Sequence, residues 1–171
     1  GHVSAVGYEL YVELMEKTIR ELKGEPMLEE EVKPEINLGL PAYIPADYMP
    51  DEHQRLVSYK RISVAATEED IAAIESELTD LYGFVPAEVD SLFEIIRIRN
   101  LLKPLKGKKI SYDGQNLMVA FHEKSPVDPA RLIELSRKKI RGMKLTPDYR
   151  LFLPMPGLEG GEVIEQAKKL L

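Results

Sequence analysis

Four prolines, Pro34, Pro41, Pro45 and Pro50, fall within residues 34–50. Each fixes φ and removes a backbone donor, so no helix runs through this stretch. Ile36, Leu38 and Leu40 alternate there, and Tyr43 and Ile44 follow. This pattern predicts an extended segment laid over a neighbouring surface, in part as an edge strand. The chain is thereby divided, and each side can be read separately.

Before the prolines, Tyr8, Tyr11, Val12, Met15, Ile19 and Leu22 recur at helical spacing, and Gly24 and Pro26 suit a helix stop. An acidic linker around Glu29-Glu30-Glu31 follows. After the prolines, Asp51 is placed to cap a helix to about Ala65, with Gln54 placed to complete a capping box and Leu56, Tyr59 and Ile62 on its apolar side. Thr67 caps the next helix, with Asp70 three residues on, and Ile71, Ile74, Leu78 and Leu81 form its expected buried stripe up to Gly83. Pro86 opens a third helix to about Lys103, with Val89, Leu92, Phe93 and Ile96 inward.

The period changes beyond Gly107. Ile110 and Tyr112 alternate with polar residues, Asp113-Gly114 is a turn signal, and Leu117, Val119 and Phe121 alternate after it. This predicts a β-hairpin. Asp128-Pro129 starts a helix to about Arg141, and Tyr149, Leu151 and Leu153 form a further strand. Gly157, Gly160 and Gly161 read as a flexible joint before a last helix, Glu162 to Leu171. The expected class is α+β: helices packed on a small, mostly antiparallel sheet, preceded by a long N-terminal helix.

The 171 residues suffice for an ordinary core, and 44% hydrophobic with 30% charged residues is a globular balance. The net charge of −6 argues against nucleic acid as the main partner. There is no cysteine, hence no disulfide framework, thiolate metal site or cysteine nucleophile. No apolar run approaches a membrane span, and no signal peptide is visible. The chain starts at Gly1-His2 and reads as a piece of a longer protein.

Catalytic signals are scarce. The glycines at 157, 160 and 161 lack the Gly-Lys-Ser/Thr ending of a phosphate loop. His2, His53 and His122 match no metal-ligand spacing, and no metal site is expected. The helix from Thr67 to Gly83 is more informative, for it carries Glu68, Glu69, Asp70, Glu75, Glu77 and Asp80 and no Lys or Arg. The first three suit the positive end of the helix dipole. Glu77 and Asp80 stand near the opposite end, three apart and on one face. They are either a solvated acidic face or a docking patch for a basic partner. Arg137, Lys138, Lys139, Arg141 and Lys144 crowd the end of the 128–141 helix. They either complement its dipole or form a patch that contacts nucleic acid.

Several strings resemble one family. Ala5-Val6-Gly7-Tyr8-Glu9-Leu10-Tyr11 resembles the end of the translocation motif of bacterial transcription-repair coupling factors. Ala42-Tyr43-Ile44-Pro45, Tyr48-Met49-Pro50-Asp51, Gln54-Arg55-Leu56 and Tyr59-Lys60-Arg61 resemble the start of their C-terminal (TRCF) domain. Glu77 to Gly83, followed by Pro86, resembles its acidic helix and turn, although Leu81 stands where many relatives carry Arg.

The resemblance implies two parts: residues 1–33 as the end of the translocation motif, helix and linker, and residues 34–171 as a C-terminal regulatory domain. It implies a non-catalytic domain that docks on a UvrB-like N-terminal module of the parent and masks UvrA binding until the motor engages. It implies Glu77 and Asp80 as the docking pair. The parent would be a cytoplasmic, ATP- and Mg-dependent translocase on double-stranded DNA, acting on RNA polymerase in nucleotide excision repair. No cofactor is expected in this chain. The alternative is a nucleic-acid-binding accessory module using Arg137, Lys138, Lys139 and Arg141.

Overall fold

The computed structural model describes residues 33–130 and 142–170, together with Met15 and Glu134. Apart from Met15, the expected N-terminal helix lies outside these residues, as does most of the helix expected over 128–141. The chain forms two compact units, one of described residues 41–97, the other of 33–40 and 98–170.

The first unit is a strap followed by helices: α1 (Glu52–Ser63), α2 (Glu68–Tyr82) and the greater part of α3 (Ala87–Leu102). The Asp51 carboxylate caps α1 by accepting from the His53 and Gln54 amides. At α2, Thr67 accepts from the Asp70 amide and Asp70 reaches back to the cap, a complete capping box. The core joins Ile44 and Met49 of the strap to Tyr59 and Ile62 of α1, Ile71, Ile74 and Leu78 of α2, and Val89, Leu92, Phe93 and Ile96 of α3.

The proline-rich strap is fastened to this core by side chains rather than by a backbone ladder. Tyr59 Oη accepts from the Ile44 amide at 2.7 Å. The buried Arg55 donates through Nη1 to the Met49 and Pro50 carbonyls at 2.7 and 3.0 Å. Tyr48 Oη bonds to the carbonyls of Leu78 at 3.2 Å and Gly83 at 2.9 Å. These bonds satisfy groups in a segment whose prolines forbid regular structure.

The second unit holds a five-stranded sheet in the order β1-β2-β3-β5-β4, with β1 (Glu35–Asn37), β2 (Gly107–Tyr112), β3 (Asn116–Phe121), β4 (Lys144–Leu145) and β5 (Arg150–Pro154). Among the described strands only the β1–β2 pair is parallel, with Ile36 opposite Ile110. So the expected edge strand and the expected hairpin are both present. Gly114, at φ +93°, takes the left-handed position of the turn. The Asp113 carboxylate accepts from the amides of Gln115 and Asn116. Leu117, Val119, Phe121, Leu151 and Leu153 are buried, as alternation predicts.

The final helix, α4 (Gly160–Leu170), buries Val163, Ile164 and Ala167. The class is therefore α+β with a mostly antiparallel sheet.

Three sequence expectations are corrected. Leu81 is 65% exposed, because the α2 stripe advances by four from Leu78 to the half-buried Tyr82, which packs on the core. Tyr149 is a turn residue at φ +61°, and the strand begins at Arg150. Gly160 and Gly161 are the first two residues of α4 rather than a joint, and a Cβ on Gly160 would collide with Leu40 Cδ2.

Candidate functional site

The acids of α2 separate into two groups by what they touch. At the N-terminal end, Glu68 receives Arg97 Nε at 3.1 Å, and Arg97 also pairs with Glu94 at 2.7 Å. The Asp70 carboxylate accepts from the Ala66 and Thr67 amides, which hold its pKa below the ordinary carboxylate value. Both acids are used inside the chain.

Toward the C-terminal end, Glu77 and Asp80 are exposed, as expected. Glu77 already has a counter-ion, for Arg61 Nη2 of α1 lies 2.6 Å from its carboxylate, with both side chains nearly half exposed. Asp80 has no ion pair among the described residues. Leu81 and Phe84 stand beside these acids in sequence, 65% and 94% exposed. The end of α2 thus offers two carboxylates and two unburied apolar side chains from a segment of eight residues, 77–84.

Around the strap, Tyr43, Pro45, Asp47, Tyr48, Pro86 and Glu88 line an open cleft of about 410 Å³. Its walls are held by backbone bonds from Tyr43 to Glu88 at 3.2 Å and from Met49 to Pro45 at 3.0 Å. The Tyr48 ring leans on Tyr82 at 5.7 Å between centroids. Burial, and then the neighbouring Tyr82 hydroxyl, push the Tyr48 hydroxyl up in pKa. Tyr48 therefore stays a neutral donor to the two carbonyls it meets.

The cleft lining holds no nucleophile with an adjacent base. Among the described residues, no group of three His, Cys, Asp or Glu side chains is placed to hold a metal ion. No described helix is long and apolar enough to cross a membrane. His53 is exposed on α1, and His122 Nδ1 accepts from the Lys124 amide at 3.0 Å. His2, Arg137, Lys138, Lys139 and Arg141 lie outside the described residues. Lys144 is exposed on β4.

Sequence reasoning singled out Glu77 and Asp80 but missed Arg61, Phe84 and the cleft. Arg61 had a signal only in the family-like string Tyr59-Lys60-Arg61, and its pairing with Glu77 is a contact between helices. Phe84 was legible as a large apolar residue just past a helix-ending glycine, outside any stripe.

Residues 38–132 match the family model described as the TRCF domain. A transcription-repair-coupling factor of Myxococcus xanthus is 33% identical over 172 residues, covering 100% of this chain and 14% of that protein. That of Escherichia coli strain K12 is 35% identical over 155 residues, covering 88% and 14%. The chain thus spans about one seventh of the length of these curated relatives. Among solved structures, the C-terminal domain of a transcription-repair coupling factor aligns with TM-score 0.72 at 18% identity, covering 82% of this chain and 91% of that one.

Proposed function

This chain belongs to the TRCF domain family of the transcription-repair coupling factors, and on that premise we propose that it is a non-catalytic regulatory domain of a DNA-translocating parent. It docks on the parent's UvrB-like N-terminal module and masks UvrA binding until the motor engages. ATP, Mg, double-stranded DNA and RNA polymerase are met by other parts of the parent, in the cytoplasm.

The observation that carries this reading is the exposed end of α2. Glu77, Asp80, Leu81 and Phe84 are all exposed there, and among the described residues Asp80 has no ion pair and Leu81 and Phe84 are not part of the core. A reversible interdomain contact needs surfaces that tolerate water when opened. A mixed acidic and apolar patch meets that requirement better than a wholly apolar one. A coupling of about 1–3 kcal/mol would close the resting state and still let it open.

The test is the double reversal Glu77→Lys with Asp80→Lys. In this chain it should lower stability by no more than about 2 kcal/mol, the loss of the half-exposed pair with Arg61 together with a like-charge repulsion of similar size. In the whole parent it sets like charges against a basic partner and should open the resting state. UvrA should then bind without DNA or polymerase. Resting-level UvrA binding by a folded double variant would show that these acids are a solvated face.

A further inference from the structure

The cleft beside the strap has a chemistry of its own. Of its six lining residues two are carboxylic acids, two are tyrosines and two are prolines, and none is cationic. Its side-chain donors are few. The Tyr48 hydroxyl is already spent on the Leu78 and Gly83 carbonyls, which leaves the Tyr43 hydroxyl, while the two carboxylates only accept and call for a ligand rich in N–H donors. Asp47 and Glu88 repel an anion, which excludes phosphate and carboxylate ligands. Tyrosine faces attract a cation, and a guanidinium stacks on them better than an ammonium does. The planar fork of a guanidinium also matches a carboxylate with two parallel bonds.

We infer that this cleft is a receptor for an arginine side chain presented by a protein partner. Its walls are built before anything arrives. The Tyr43 amide is tied to the Glu88 carbonyl, the Tyr48 and Met49 amides close a turn on the Pro45 carbonyl, and the Tyr48 ring rests on Tyr82. Such preorganisation removes much of the ordering cost that weakens small sites. The volume of about 410 Å³ leaves room for the alkyl stem, which the two prolines can cover, as well as the charged head.

The site is separate from the acids of the proposed docking patch, and its test uses neither the parent nor UvrA. The isotopically labelled chain is titrated, with amide shifts followed by NMR, against the blocked amino acid Nα-acetyl-arginine methylamide and against its lysine counterpart. The arginine probe should give saturable shifts centred on Tyr43, Asp47, Tyr48 and Glu88, with Kd on the order of 1–10 mM, as suits one side chain. The lysine probe should bind at least about threefold more weakly. Asp47→Asn with Glu88→Gln should lower the arginine affinity at least about fivefold. The Glu88 carbonyl that holds Tyr43 is backbone, so this variant keeps the wall. Absence of saturable shifts overturns the assignment, as does equal binding of the two probes or an arginine affinity indifferent to the loss of both carboxylates. The comparison of probes on the unaltered chain needs no variant to fold.

Discussion

At the scale of the residue, Arg61 sets how strongly the acidic patch can act. A basic partner that reaches Glu77 must displace a guanidinium already 2.6 Å away. The pair is nearly half exposed, so it is worth at most about 1 kcal/mol. Arg61→Gln should therefore tighten docking on the UvrB-like module by up to about fivefold, with little change in fold stability. Calorimetric titration of the two pieces measures this, and weakened docking would mean that Arg61 itself meets the partner. Asp80→Asn is the companion variant and should weaken docking whatever Arg61 does. Asp70 behaves differently, because its carboxylate is committed to the cap of α2 and its pKa is lowered by the Ala66 and Thr67 amides. A lowered native pKa means that this stabilisation is complete above the unfolded value of about 4 and is lost as pH falls through the lower native value. Asp70→Ala should thus be less stable than the parent chain at neutral pH. The gap should close in denaturation curves taken at progressively more acid pH, and a gap that persisted unchanged would argue against a charge-based cap.

At the scale of the element, legibility followed how local the determining signals were. The hairpin was readable because Asp113-Gly114 dictates its own turn and alternation dictates the faces. The start of α2 was readable because its capping box lies within four residues. Its far end was misread at Leu81, since a stripe can advance by three or by four, and only the packing of Tyr82 decides between them. Tyr149 and Gly160 were misread for a related reason. One is fixed by the bond from the Phe121 amide to its carbonyl, the other by the approach of Leu40. Neither contact can be seen in a local window. In the candidate site, the exposure of Glu77 and Asp80 was legible from periodicity, whereas Arg61 and the cleft depend on which segments meet. The strap illustrates the same point. Proline spacing announced an extended segment, but its fastening to α1 is tertiary. Tyr59→Phe tests that fastening, for it leaves the amide of the buried Ile44 without the acceptor it now has. A loss of about 1–3 kcal/mol in denaturant unfolding is expected. A change within a few tenths would show that the Tyr59 bond adds nothing to the hold on the strap, leaving Arg55, Tyr48 and the apolar contacts to fasten it.

At the scale of the whole molecule, neighbours within the sheet are not always neighbours along the chain. The match to the TRCF domain runs over residues 38–132 and so includes residues of both compact units. Along the sequence, the helices α1 and α2 and most of α3 lie between β1 and β2, its only partner among the described residues. That parallel pairing joins Glu35, Ile36 and Asn37 to Lys109, Ile110 and Ser111, across the entire helical unit. Contacts so distant along the chain are slow to form, since the intervening loop must close first. On a ribosome, β1 leaves the exit tunnel with nothing to pair with. The helical unit emerges next and has its own core, so it can condense once α3 is out, while β2 is still inside the tunnel. The waiting strand is three residues long with charged Glu35 at its head, too short and too polar to template the pairing of neighbouring nascent chains.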